Sequence, residues 1–95
     1  MASVEKDFNM IYDFNIEGTY TVSSNGSITV SLTEVNSKDY NIEVRVSSGQ
    51  AKRYLNITPK KKSITFSNLP KGSYSIFLIN QNKKESVGGK ISIKW

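Results

Sequence analysis

Asp13, Asn15 and Glu17 offer oxygen ligands at every second position, the spacing that lines up side chains on one face of a strand. Calcium takes six to eight oxygens, usually gathered by a bent loop, and three on a straight strand cannot wrap one ion unaided. They therefore read as a solvated face. Glycoside hydrolysis needs two carboxyl groups about 5–10 Å apart across a cleft, and none of the eight acids sits in a segment that reads as a cleft. The chain has no histidine and no cysteine. Imidazole-based triads, thiol nucleophiles, disulfides and zinc or iron–sulfur sites built on those ligands are thereby excluded. The residues point to no catalytic group, no metal ligand set and no cofactor.

Two groups remain that could bind. Lys60, Lys61 and Lys62, with Lys52 and Arg53 close in sequence, are the densest run of positive charge. Such loops can meet phosphates or sulfated sugars, or simply guard a sheet edge. Tyr54, Phe77 and Ile79 fall out of phase with the core positions of their segments. Aromatic side chains standing outward on a sheet can stack on sugar rings or seat a protein. Otherwise their strands are covered on both faces. Tyr74 has serines beside it and Ile76 next on its face, which does not make a base-stacking platform. Specific nucleic-acid binding is not expected.

The elements that must carry these residues are strands. Phe8, Met10, Tyr12, Phe14 and Ile16 alternate with polar residues, only Ile11 breaking the rhythm, and Tyr20 and Val22 continue it. Asn25-Gly26 then predicts a two-residue hairpin to Ile28, Val30 and Leu32. Tyr40, Ile42, Val44 and Val46 alternate with Asn41, Glu43 and Arg45. Strands follow around 52–58, at Ile64 and Phe66, from Tyr74 to Ile79, and from Val87 to Trp95, with a turn from Gln81 to Glu85. Seven or eight strands at roughly 8–12-residue spacing, with no helical period, predict an all-β fold: one antiparallel β-sandwich, jelly-roll or Ig-like. Residues 8–95 form the domain, and the charged residues 1–7 are expected to fray.

The segment Ile64-Thr-Phe-Ser-Asn-Leu-Pro-Lys-Gly-Ser-Tyr-Ser-Ile resembles a strand–corner–strand unit of bacterial extracellular sandwiches. Pro70 fixes φ for the corner, Gly72 is expected to take a conformation closed to side chains, and Tyr74 is a tyrosine-corner candidate. Together with Gly26–Leu32, Asp39-Tyr-Asn-Ile-Glu-Val and Ile91-Ser-Ile, residues 18–95 resemble the bacterial pre-peptidase C-terminal domain. That family is a jelly-roll-like sandwich attached to secreted peptidases and includes collagen-binding modules. Asn41 stands where the family often has an aspartate, and its acidic calcium-binding linker has no clear counterpart here.

The reading that follows is a non-catalytic, secreted or cell-surface module for a polysaccharide or an extracellular protein, anionic ones included. Tyr54, Phe77, Lys52, Arg53 and Lys60–Lys62 are the expected contacts. The alternatives are a small stand-alone cationic effector, antibacterial or inhibitory, and a structural surface subunit. No segment approaches the roughly 18 apolar residues of a membrane span; a secreted chain would have shed its leader.

Net charge is +5, unevenly spread. Residues 1–43 hold two lysines against seven acids, and residues 44–95 hold eleven Lys and Arg against one Glu. Separate sheets for the two halves would make an acidic and a basic side, whereas interleaved strands would pair the charges. A polarised domain with basic loops is expected.

Overall fold

Inward-facing apolar residues on eight strands, each with one wet face, can be buried together only if two sheets close over them. The computed structural model describes residues 2–83 and 85–95. Met1 of the expected frayed segment and Lys84 of the expected Gln81–Glu85 turn lie outside the described residues. The strands are β1 (Ser3–Met10), β2 (Asp13–Val22), β3 (Gly26–Val35), β4 (Ile42–Ser47), β5 (Lys52–Ile57), β6 (Ser63–Leu69), β7 (Gly72–Asn80) and β8 (Val87–Lys94). One sheet, called A, runs β1-β8-β3-β6, and the other, B, runs β2-β7-β4-β5. β1 pairs with β8, β2 with β7, β3 with β6 and β4 with β5, all antiparallel. The chain is thus one long antiparallel ribbon rolled into two layers, a jelly roll. The Ig-like alternative is set aside, because that fold distributes seven strands as four and three.

Val30, Ile93 and Ile28 from sheet A and Val44, Leu78 and Ile76 from sheet B are fully enclosed between the layers. Tyr20 packs edge-on against Trp95 with ring centroids 4.8 Å apart, which ties the last residue to β2.

Four local expectations change. Residues 1–7 do not fray where they are described: Ser3–Asp7 pair with Lys94–Lys90, and Ala2 and Trp95 exchange backbone hydrogen bonds of 2.9 and 3.0 Å. The partner strand lies at the far end of the sequence, so local polarity gave no sign of it. The run from Phe8 to Ile16 is not one strand. It breaks at Ile11-Tyr12, where the chain crosses from sheet A to sheet B, and Tyr12 is 62% exposed. Asn80, buried to 1% exposure, holds that crossing. Its Nδ2 donates to the Ile11 and Glu85 carbonyls at 2.8 and 2.7 Å, and its backbone N–H donates to the Tyr12 carbonyl at 2.8 Å.

The Asn25-Gly26 turn exists, but it is centred one residue earlier and joins strands in different sheets. Gly26 N–H donates to the Ser23 carbonyl at 2.9 Å, and only Asn25 has positive φ, at 59°. Tyr20 and Val22 on one side and Ile28 and Val30 on the other bury into the same core from opposite layers. Lastly, the corner before β7 places its positive φ at Asn68 (54°), not at Gly72. A side chain at Gly72 would make only an ordinary contact, 3.7 Å to Ser48 Cβ. Tyr74 behaves as a tyrosine corner: fully buried, its hydroxyl donates to the Pro70 carbonyl at 2.6 Å.

The glycine that the fold requires is Gly89, at φ 156°, beside the irregularity in β3 between Leu32 and Glu34. A Cβ there would stand 2.0 Å from the Glu34 carbonyl oxygen, and neither central strand can move aside. Gly89→Ala should cost about 3 kcal/mol or more, and Gly72→Ala less than about 0.5 kcal/mol, in denaturant melts. Comparable losses for the two would contradict this backbone geometry.

Burial pushes the Tyr20 and Tyr40 hydroxyls above the ordinary phenol value. Because the unfolded phenols ionise near pH 10, this contribution is whole below about pH 10 and is lost as pH rises through the folded values. The Tyr40 hydroxyl has no hydrogen-bond partner among the described residues. Tyr40→Phe should therefore be neutral or stabilising by up to about 1 kcal/mol, and should flatten the fall in melting temperature between pH 9 and 11.

Candidate functional site

On the outer face of sheet B, register brings four residues into one row across four strands. Asn15 on β2 pairs with Phe77 on β7, Phe77 with Arg45 on β4, and Arg45 with Tyr54 on β5. The Arg45 guanidinium lies 4.8 Å from the Tyr54 ring centroid, a cation–π contact. Its Nε donates to Glu43 Oε1, two residues along the same strand face. Glu43 Oε2 also accepts from Gln81 Nε2 at 3.3 Å, so the one carboxylate beside Arg45 is already engaged. On the other side of the row, the Ser47 and Ser75 hydroxyls share a hydrogen bond of 3.2 Å, and Lys52 lies opposite Ser47. All of these residues except Glu43 and Gln81 line a depression of about 270 Å³.

Tyr54 is exposed and Phe77 and Ile79 are half-buried, their faces turned outward with no strand over them among the described residues. The out-of-phase positions therefore belong to a wet sheet face. An outward aromatic on a six-residue edge strand has neighbours on one side only, which leaves Tyr54 54% accessible.

The expected basic cluster does not form. Lys52 opens β5, whereas Lys60–Lys62 follow its other end, so the length of the strand, about 20 Å, separates them. Thr58 and Lys61 close a tight turn by reciprocal backbone hydrogen bonds of 3.1 and 3.0 Å. The Lys62 carbonyl accepts from Leu32 N–H, and its side chain borders a broad hollow beside β1, β3 and β8 with Glu34 and Asn36. Arg53 has the opposite parity to Tyr54. It crosses the open side of the sandwich, with Nη1 3.5 Å from the Ser67 carbonyl on β6. Of the expected contacts, Tyr54, Phe77 and Lys52 are brought together; Arg53, Lys60, Lys61 and Lys62 are not. Pro70, Gly72 and Tyr74 form the corner at the end of the sheet and stand apart from this face.

Sequence reasoning does not pick out Arg45, Ser47 or Ser75, and it reads Asn15 only as part of the solvated face shared with Asp13 and Glu17. Alternation put Arg45 on a polar face, but only the order β2-β7-β4-β5 makes it the neighbour of both aromatics.

Charge is not divided into two sides. Every first-half strand lies beside a second-half strand, and Lys90 on β8 sits between Asp7 on β1 and Glu34 on β3. Expected polarity gives way because rolling the ribbon interleaves its halves. Asp13, Asn15 and Glu17 share the outer face of β2 and are exposed, and no group of three or more acids gathers for a metal among the described residues.

Two further surfaces lack this combination of groups. The hollow beside β1, β3 and β8, about 630 Å³, is lined by Phe8, Val35, Thr33, Glu34, Lys62, two asparagines and two glycines, and its ring, Phe8, is buried. The crossover carries exposed Ile11 and Tyr12, and its hollow is lined by no cation among the described residues.

No family model and no curated protein sequence matches the chain. Solved structures do resemble it. The periplasmic inhibitor of g-type lysozyme, PliG, from Aeromonas hydrophila aligns over 98% of this chain and 83% of its own, with 17% identity and a TM-score of 0.62. The C-terminal domain of A223, a structural protein of Sulfolobus turreted icosahedral virus, aligns over 99% of both chains, with 13% identity and a TM-score of 0.57. At these identities the likeness is one of fold: an all-β sandwich of two antiparallel sheets.

Proposed function

We propose that the domain is a non-catalytic, secreted or cell-surface binding module whose contact surface is the outer face of sheet B, and whose ligand is an extracellular polymer. The observation that carries this reading is the row Asn15–Phe77–Arg45–Tyr54, an aromatic and cationic surface that no strand covers among the described residues. Such a row contributes little to folding, since the apolar faces of these strands already point inward. An exposed Tyr–Arg pair is the composition that binding surfaces concentrate. PliG, a protein of the same fold, is by its name a periplasmic inhibitor that acts on another protein. The resemblance of residues 18–95 to a domain attached to secreted peptidases supports the same setting.

The test is binding of the purified domain to a panel of immobilised polysaccharides and extracellular matrix proteins, with Tyr54→Ala and Phe77→Ser alongside. Both side chains lie outside the core, so melting should shift little while binding falls at least about tenfold. A ligand held equally well by both variants would move the site elsewhere. A blank panel for the native chain, with light scattering showing concentration-dependent assembly, would favour the structural-subunit alternative instead.

A further inference from the structure

Within that binding reading, we infer that the face takes an acidic saccharide: a sugar ring set against Tyr54 and Phe77, with its carboxylate or sulfate on Arg45 and Lys52. Size, charge and donor geometry favour this occupant.

Size is the first constraint. β2, β7, β4 and β5 are ten, nine, six and six residues long, so with strands spaced by about 4.8 Å the flat face offers on the order of 500 Å². A standard protein interface takes about 800 Å² from each partner. The depression of about 270 Å³ lies just below the range of small-ligand pockets, which begins near 300 Å³. A shallow site of that size seats one ring of an oligomer, with neighbouring rings running across the strands.

Charge gives the sign. Arg45 and Lys52 both border the depression. The nearest carboxylate, Glu43, already accepts from Arg45 Nε and Gln81 Nε2. Lys52 forms no ion pair among the described residues. A ligand anion would therefore meet one cation held in place and one unengaged.

Geometry gives the class of anion. A guanidinium has five N–H donors in a planar fork. One is committed to Glu43, and the four on the two Nη groups have no protein acceptor among the described residues. The bond to Glu43 and the Tyr54 ring hold the plane of the fork, so little side-chain freedom remains to be lost on binding. The fork matches the paired oxygens of a carboxylate or sulfate. The Ser47 and Ser75 hydroxyls, already 3.2 Å apart, can exchange donors and acceptors with ring hydroxyls at the same level. Asp13 and Glu43 lie on the far side of Arg45 from Lys52, and Glu17 continues the outer face of β2 beyond Asn15. The β4–β5 edge of the face, away from β2, is where Arg45 and Lys52 stand without an adjacent free carboxylate among the described residues. The anion should therefore point toward the Lys52 side of the face.

The experiment is calorimetric titration of the full chain with three oligosaccharides of equal length: an oligogalacturonate, a neutral galacto-oligosaccharide and a sulfated galactan fragment. Arg45→Met, Arg45→Lys and the triple variant Lys60→Ser/Lys61→Ser/Lys62→Ser are titrated in parallel, each first shown by melting to be folded. The native chain should bind one or both acidic ligands at least tenfold more tightly than the neutral one, and the two acidic arms tell carboxylate from sulfate. Arg45→Met should lose about 10- to 100-fold toward the acidic ligand, with neutral affinity changed less than twofold. Arg45→Lys should fall between, and the triple variant should match the native chain.

Equal binding of acidic and neutral sugars would overturn this inference and leave the polymer-binding reading standing. Silence toward all three sugars, with Tyr54-dependent capture of a protein from the panel, would give the face to a protein partner. Loss of acidic binding in the triple variant alone would place the site at the β5–β6 turn. Silence toward sugars and proteins alike would defeat both proposals.

Discussion

Each strand in the first half of this chain takes its ladder partner from the second half, and the pairing is nested: β4 with β5 at the centre, then β3 with β6, β2 with β7, and β1 with β8 joining the ends of the sequence. A four-stranded sheet with one apolar face cannot stand alone in water. Rolling the ribbon stacks two such faces and removes both from solvent in one step. The cost is that most pairings are remote in sequence, so loop-closure entropy must be met before the core rewards it. β1 depends on this most. Its partner lies at the other end of the chain, and Val4, Phe8 and Met10 have a core to enter only once β8 is in place.

The same roll explains where irregular backbone is needed. Crossing between layers leaves the Ile11 and Tyr12 carbonyls without a ladder, and Asn80 supplies donors to both from inside. Asn80 is itself buried, and an unpaired buried amide would cost about 1–3 kcal/mol, so these bonds satisfy the amide as much as they hold the crossing. Gly89 answers a different demand. β8 is the central strand between β1 and β3, and where β3 carries an extra residue its backbone presses onto β8 too closely for any side chain. The candidate site takes its order from the ladders as well. β4 lies between β7 and β5, so Arg45 is flanked by Phe77 on one side and Tyr54 on the other. Glu43, on the same strand face, then orients the guanidinium.

Much of the fold could be read locally. The alternation of Ile42, Val44 and Val46, and of Tyr74, Ile76 and Leu78, gives both the strands and their buried faces, because period two belongs to the strand itself. The outward placement of Tyr54 and Phe77 follows from the same parity. The two misread strand boundaries have one cause. Alternation runs on in phase when a chain steps from one sheet to the facing one, since both sheets point their apolar sides at the same core. Phe8 to Ile16 therefore looked continuous, and Asn25-Gly26 looked like a hairpin between paired strands. Only Ile11, the single break in rhythm, marked a crossing.

Composition and periodicity by themselves determined that this is an all-β domain, which side chains enter its core, and that imidazole and thiol chemistry are absent, since each is a property of residue type or of near neighbours. Tertiary structure decided which strands are neighbours. It tied the N-terminal residues to the C-terminal strand, interleaved the acidic and basic halves of the chain, and parted Lys60–Lys62 from Lys52. It also set Arg45 between Phe77 and Tyr54. Those outcomes depend on ladder order and register between segments far apart in sequence, fixed by burial of a shared core that no local stretch can form alone.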